Sequence, residues 1–397
     1  MANWSELIPL DIWKKIAESI QFHEDFNVFG KVCSDWRKAM KIANRSKSSI
    51  QTPWLLLAEP PCTSTRRFYS LYNRKVLPVE LPKPSTTPGQ AEDDTDNMTL
   101  SLLFPPDKDE DGLGDWRYYS SRGWLISVTQ LGLNITLVNP ITKQVVQPPP
   151  FPDHIFGSRT RSWQWQPNSY LFMYDKFVLS EDPSTTKDYV LAMKFPASVD
   201  LAFWKSGDKQ WNMLNTHYCH FSDITFHKGE FYAVEQFGKI IAVGNSSPPA
   251  TPRLVANLMF QCTSPHLSYL VESAGTLLLI FRELEDLENK TLELKCFKVW
   301  EINVDTGEAK ETTSLGNRAV FLGHNSSFSV EACPPICRPN CIYYTDNYDH
   351  NYRFSNTINR CDMGVYDISL DRKIEEFYQG PSCLSKSTLP LWVESPN

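Results

Sequence analysis

Three stretches of this sequence carry residue types that could do chemistry. In DKDEDG, Asp107 to Gly112, acids fall at the first, third and fifth positions and glycine at the sixth, as at the opening of a calcium-binding loop. The twelfth position is Tyr118 instead of a bidentate glutamate, and no helix is readable in the proline-rich approach, so a solvated acidic loop is expected. In CPPICRPNC, Cys333, Cys337 and Cys341 recur at spacing four, and Cys361 could supply a fourth thiolate to zinc. That spacing would align thiols on a helix, but Pro334, Pro335 and Pro339 bar one, and zinc pairs usually lie closer together, so free thiols in a loop are expected. His217 and His220 in HYCH, with His227 beyond, could be ligands, though packing or a surface position is the commoner use of such a cluster. No Gly-x-Ser-x-Gly, phosphate loop or dinucleotide fingerprint occurs. No metal, no cofactor and no catalytic residue is expected.

The elements that would position any such residues are mostly strands. Aromatics make up 13% of the chain and 28 prolines outnumber 17 glycines, which favours strands and turns. Beyond residue 50, short apolar runs such as PWLLLAE, GWLISVTQ, GEFYAVEQFGKIIAV and SYLVESAGTLLLIF alternate with turn residues. About 345 residues of strand exceed one sandwich and call for repeats. A hairpin unit does recur. LVNPITKQVV places Asn139 and Thr142 in a turn, and EINVDTGEAK matches it at Asn303 and Thr306. Looser copies lie at Asn73 and Asp367, and weaker ones near Trp204 and Glu235. The count predicts a propeller of six blades, or seven, closed by pairing LPLWVES near the C-terminus with PWLLLAE. Gly229 and Gly275 fall at hairpin turns. Residues 83–115, rich in proline, serine, threonine and acid, read as a long surface loop.

The N-terminal 48 residues read differently. Pro9 suits a helix start and Asp11 its first turn. Ile12, Ile16 and Ile20 make an apolar stripe that Leu10, Trp13 and Ala17 widen. In HEDFNVFGKVCSDWRKAM, Phe26, Phe29, Val32, Cys33, Trp36 and Met40 are expected along one face of a second helical run. Three short helices cannot bury all these faces against one another, so part of the surface is expected to meet a partner. Arg37, Lys38, Lys41, Arg45 and Lys47 form a basic patch that reads as a solvated face. A net charge of −7 argues against nucleic acid, and the longest apolar run, TLLLIF, is too short to cross a membrane. MANWSELIPL lacks the features of a secretory leader, so the chain is expected in the cytoplasm or nucleus with free thiols.

LIPLDIWKKIAESI followed by VCSDWRKAM resembles the F-box, with Ile8-Pro9 where Leu-Pro is usual and Val32, Cys33, Trp36 and Arg37 matching the end of the pattern. With GWLISVTQ, LVNPITK, FSDITFHKGEFYAV and NCIYYTDN, the whole chain resembles plant F-box proteins that carry a C-terminal kelch-like propeller. The resemblance implies an F-box of residues 1–48 and a propeller of residues 49–397. It implies docking on a Skp-type adaptor, and through it on a cullin–RING ubiquitin ligase, by Leu7, Ile8, Pro9, Leu10, Ile12, Ile16, Val32, Cys33 and Trp36. Trp36 itself reads as core of the helical unit. The propeller would then hold an unnamed target for ubiquitination, without catalytic residues of its own. The alternative is a free-standing propeller that binds protein or glycan, with Trp163 and Trp165 in RSWQWQP as stacking surfaces. A propeller enzyme is the third reading, and no catalytic constellation supports it.

Overall fold

The computed structural model describes residues 8–20, 22–43, 52–57, 65–82, 117–128, 134–152, 176–195, 200–215, 221–235, 238–246, 249, 251–258, 266–286, 292–323, 325–345, 363–378 and 390–394. The chain divides into two compact units, residues 1–52 and residues 53–396.

The first unit holds three helices: α1 (Leu10–Ser19), α2 (His23–Val32) and α3 (Ser34–Ile42). Pro9 stands at the cap of α1, and Ile12 N–H and Trp13 N–H donate to its carbonyl. The expected single run from Phe26 to Met40 is corrected. Cys33 is extended, with φ −157° and ψ 177°, and splits the run into α2 and α3. The break removes Val32 and Cys33 from the face that carries Phe29 and Trp36. Val32 is 56% exposed, whereas Phe29 is buried and stacks on Trp36 with ring centres 4.4 Å apart. Trp13 also packs on Trp36, with ring centres 4.6 Å apart. Trp13, Ala17, Phe26, Phe29 and Ala39 form the core, with Trp36 and Ile20 partly buried against it. The isoleucine stripe divides as well: Trp13 and Ala17 point inward, while Ile12 and Ile16 are 40% and 39% exposed. Met40 packs over Gly30, where a Cβ would lie 2.3 Å from its Sδ and would make that side chain move. Its carbonyl accepts from Arg37 Nε at 3.2 Å.

The second unit is a six-bladed propeller. Blades 2 to 5 are four-stranded antiparallel meanders whose innermost strands are Arg117–Ser121, Lys176–Leu179, Phe221–His227 and His266–Ser273. Blade 1 takes its innermost strand, Leu391–Val393, from the far end of the chain, where it pairs antiparallel with Trp54–Leu56. Blade 6 has five strands. Its Arg318–Leu322 hairpins back through Ser327–Glu331 on the axial side, and the returning chain then lays Cys341–Tyr344 parallel to the first strand.

Each blade buries both faces, which is why the strands read as continuous apolar runs. In Thr276–Asp286, Leu277, Leu279 and Phe281 pack toward blade 4, while Leu278 and Ile280 pack toward blade 6. Trp54 and Leu56 likewise meet blade 2, and Leu55 meets blade 6. Successive side chains of a strand point to opposite faces, so one strand serves two cores. Each junction between neighbouring blades has its own apolar cluster, and the sixth joins blade 6 to blade 1. Closure pairs Trp54–Leu56 on both sides and leaves only the short outer strand of each blade with a free edge.

The recurring turn joins the last two strands of a blade. Asn139 Oδ1 accepts from Ile141 N–H and Thr142 N–H at 3.0 Å each. Asn303 holds Asp305 and Thr306 in the same way in blade 5, and Asp367 holds Ser369 and Leu370 in blade 6. The copy near Glu235 is corrected. It lies between the second and third strands of blade 4, since an apolar–turn–apolar string recurs at every hairpin.

Candidate functional site

Each unit presents one surface whose side chains are not satisfied by the fold. On the helical unit, Leu10, Ile12, Ile16, Val28, Val32 and Ile42 are exposed. Six large aliphatic side chains in so short a segment are far more than scattered surface hydrophobics. Among the adaptor contacts expected from sequence, Leu10, Ile12, Ile16 and Val32 share this exposure and Pro9 is exposed too. Ile8 and Cys33 are partly buried. Trp36 is a core element that shapes the unit. Leu7 lies outside the described residues. Val28 and Ile42 were not foreseen; Val28 sits one turn before Val32 on α2, and that spacing of four was the available signal.

The propeller's surface is a cavity of about 390 Å³ on its axis, walled by residues of all six blades. Turn chemistry builds its mouth. In blades 2, 4 and 5 the first two strands are joined by two-residue turns, Arg122-Gly123, Lys228-Gly229 and Ala274-Gly275, with φ positive at both positions. Such turns match the twist of the flanking strands, and glycine takes the second position without strain. Arg122 and Lys228 are thereby delivered to the cavity. Arg122 Nε donates to the Leu179 carbonyl at 2.9 Å, and its guanidinium lies over the Phe226 ring. Lys176 is also in the wall, but its charge is matched by Asp223 at 2.6 Å. Ser273 and Ser329 join blades 5 and 6 through their hydroxyls, 2.9 Å apart.

Against these stand Glu394, Glu272 and Glu181. Glu394 follows directly on the closing strand. Burial raises its pKa; Arg122 opposes that rise, while Glu272 and Asp182 add to it. Of the packing or surface position expected for His227, the structure gives packing. It ends the innermost strand of blade 4 and is 2% exposed, with Nδ1 unpaired among the described residues. Burial, and then Lys228, lower its pKa and keep the imidazole neutral. Ser120, also 2% exposed, has an unpaired hydroxyl. A second cavity of about 820 Å³ between blades 4 and 5 shares His227, Lys228 and Gly275 with the first.

The other chemical candidates resolve into structure or lie elsewhere. Cys333 and Cys337 bridge a tight turn, with Cys337 N–H donating to the Cys333 carbonyl at 3.2 Å. Burial pushes the Cys341 thiol up to about 11. The described cysteines are free, and among the described residues no His/Cys/Asp/Glu group could hold a metal. Tyr118 is a buried strand residue beneath the Arg66 guanidinium. Asp107 to Gly112, the 83–115 loop, Trp163, Trp165, His217, His220, Cys361, Arg45 and Lys47 lie outside the described residues. No described helix is long and apolar enough to cross a membrane.

Three helices with an unburied apolar face, followed by a closed six-bladed propeller, define the class. The KIB1-4 beta-propeller family model matches residues 95–367, and the chain belongs to that family. Similar proteins in Arabidopsis thaliana are F-box proteins by name. At5g55150 is 30% identical over 357 residues, covering 88% of this chain and 86% of its own. SKIP23 is 24% identical, covering 95% and 93%.

Proposed function

We propose that this chain is the substrate-recognition subunit of an SCF-type ubiquitin ligase. Its helices dock on a Skp-type adaptor, and the propeller holds a target protein. The exposed aliphatic side chains of Leu10, Ile12, Ile16, Val28 and Val32 carry the reading. The fold leaves these side chains in water, and the F-box relatives supply the kind of partner that would cover them. Catalysis then rests on proximity: a tethered target meets activated ubiquitin at high effective concentration, and this chain contributes no catalytic residue. Its place of action would be the cytoplasm or nucleus, where the adaptor-bound ligase works.

The test is capture of purified Skp adaptor by the full chain and by a Leu10→Ala, Ile12→Ala variant. Truncating two interface anchors is expected to cost about 2 kcal/mol or more, roughly a thirtyfold loss of affinity. Hydrogen exchange over residues 10–42 should stay unchanged, since neither side chain is in the core. No affinity in the unaltered protein, or equal affinity in the variant, overturns the ligase reading in favour of a free-standing binding module.

A further inference from the structure

The axial cavity has an unusual balance. Of its three cationic wall residues, Lys176 is neutralised by Asp223, and Arg122 is committed to the Leu179 carbonyl and the Phe226 ring. Lys228 stands exposed at the rim. Among the remaining groups the carboxylates only accept, while the serine hydroxyls can accept or donate. Glu394 is half-buried in the same wall. The hydroxyls of Ser120 and Ser327 and the Nδ1 of His227 are unpaired among the described residues. Glu272 uses one oxygen for Gly275 N–H at 2.7 Å and has the other to spare. Native folds pair their buried polar atoms, so unpaired polar atoms around one cavity point to a missing hydrogen-bonding group, and the carboxylates beside them can only accept.

The geometry points to a binding site for an organic cation, a protonated amine or a guanidinium, held between Glu394 and Glu272 with Ser120, Ser327 and His227 completing its hydrogen bonds. An ammonium offers three donors and a guanidinium five, and neither needs an acceptor in return. A neutral sugar or amide would bring no charge to the two carboxylates beyond what Arg122 and Arg318 supply to Glu394, and an anion would be repelled by them. The cavity shares His227, Lys228 and Gly275 with the space between blades 4 and 5, where Glu301, Asp305 and Glu308 outnumber Lys228 and Lys310. A peptide that placed a lysine or arginine on the axis could leave along that acidic path. The same chemistry could come from a free amine, and the site stands whether or not the helices bind an adaptor.

Titration of the full chain at neutral pH with acetyl-Gly-Arg-Gly-amide, acetyl-Gly-Lys-Gly-amide, their Gln and Glu counterparts, and agmatine tests this. Saturable binding of the Arg or Lys peptide, or of agmatine, is expected, with none for Gln or Glu. A peptide bound more tightly than agmatine assigns the site to a protein side chain, and the reverse order assigns it to a free amine. Glu394→Gln should weaken binding about tenfold, the loss of one charge-assisted hydrogen bond. Glu272→Gln keeps the Gly275 acceptor, should do the same, and serves if Glu394→Gln does not fold. Equal binding of the Gln peptide, no binding of any cation, or indifference to both substitutions overturns the site. Adaptor capture measured on the same samples is untouched by that failure, which separates it from failure of the ligase reading.

Discussion

Asp223 is where three blades meet. One carboxylate oxygen accepts from Lys176 Nζ of blade 3 at 2.6 Å, and the other from Leu270 N–H of blade 5 at 2.8 Å. Both charged side chains are 5% exposed. Removing one partner of a buried pair strands the other's charge at a cost of about 3–5 kcal/mol. Lys176→Met is therefore expected to lower unfolding stability by that order in urea titrations. Asp223→Asn added to it should recover part of the loss, because the amide oxygen still accepts from Leu270. A cost below about 1 kcal/mol for the single change would mean that the pair is solvated. Little of this was legible beforehand. Asp223, Thr225 and His227 alternate with apolar Ile224 and Phe226, which marks a strand with one polar face. The sequence does not say that this face looks onto an axis, or that the lysine 47 residues earlier would be opposite.

At the scale of elements, Leu391–Val393 is three residues long yet completes blade 1 and both of its neighbouring cores. Trp392 is fully buried against Phe321 and Phe377, and its carbonyl accepts from Ser326 Oγ at 2.6 Å. Trp392→Ala is expected to cost about 3–5 kcal/mol by leaving a cavity at the closure. Deleting residues 385–397 should lower the melting temperature of the whole propeller, since Trp54–Leu56 then becomes an open edge. A truncated chain that melts like the full-length one would rule out closure as the source of stability. The short helices show the opposite dependence. Their periodicity was clear, yet the break at Cys33 escaped it, because residues that continue an apolar spacing also fit two helices meeting at one extended residue.

Over the whole propeller, the ring concentrates charge on its axis, and this has a pH consequence. Glu394 faces Glu272 and Asp182, which disfavour its ionised form, and Arg122 and Arg318, which favour it, while burial outweighs them all and raises the pKa above 4.5. The folded state thus holds this proton to higher pH than the unfolded chain does. The stabilisation from that proton is present at low pH and is lost as pH rises through the folded pKa. Against Glu394→Gln, the unaltered protein should lose relative stability from about pH 4.5 upward, so the variant melts higher at neutral pH. Melting curves of the two proteins that stay parallel between pH 4.5 and 7.5 would show that the carboxylate is well solvated.

What the sequence determined by itself is what local pattern encodes. Alternation and turn residues specify strands, and the Asn139 and Asn303 turns recur because an asparagine side-chain oxygen can hold the amides two and three residues on in any blade. The apolar spacing of residues 10–42 specifies helices too small to hide their own faces. Tertiary structure decided what depends on closure. The ring chose which end of each strand faces the axis, and it gathered Ser120, His227, Glu272, Ser327 and Glu394 from five blades around one cavity. It also placed Trp36 against Trp13 and Phe29, with Ile12 and Ile16 turned outward. Side chains far apart in the chain acquire a common environment only once the elements between them have packed, so no spacing rule could report these sites in advance.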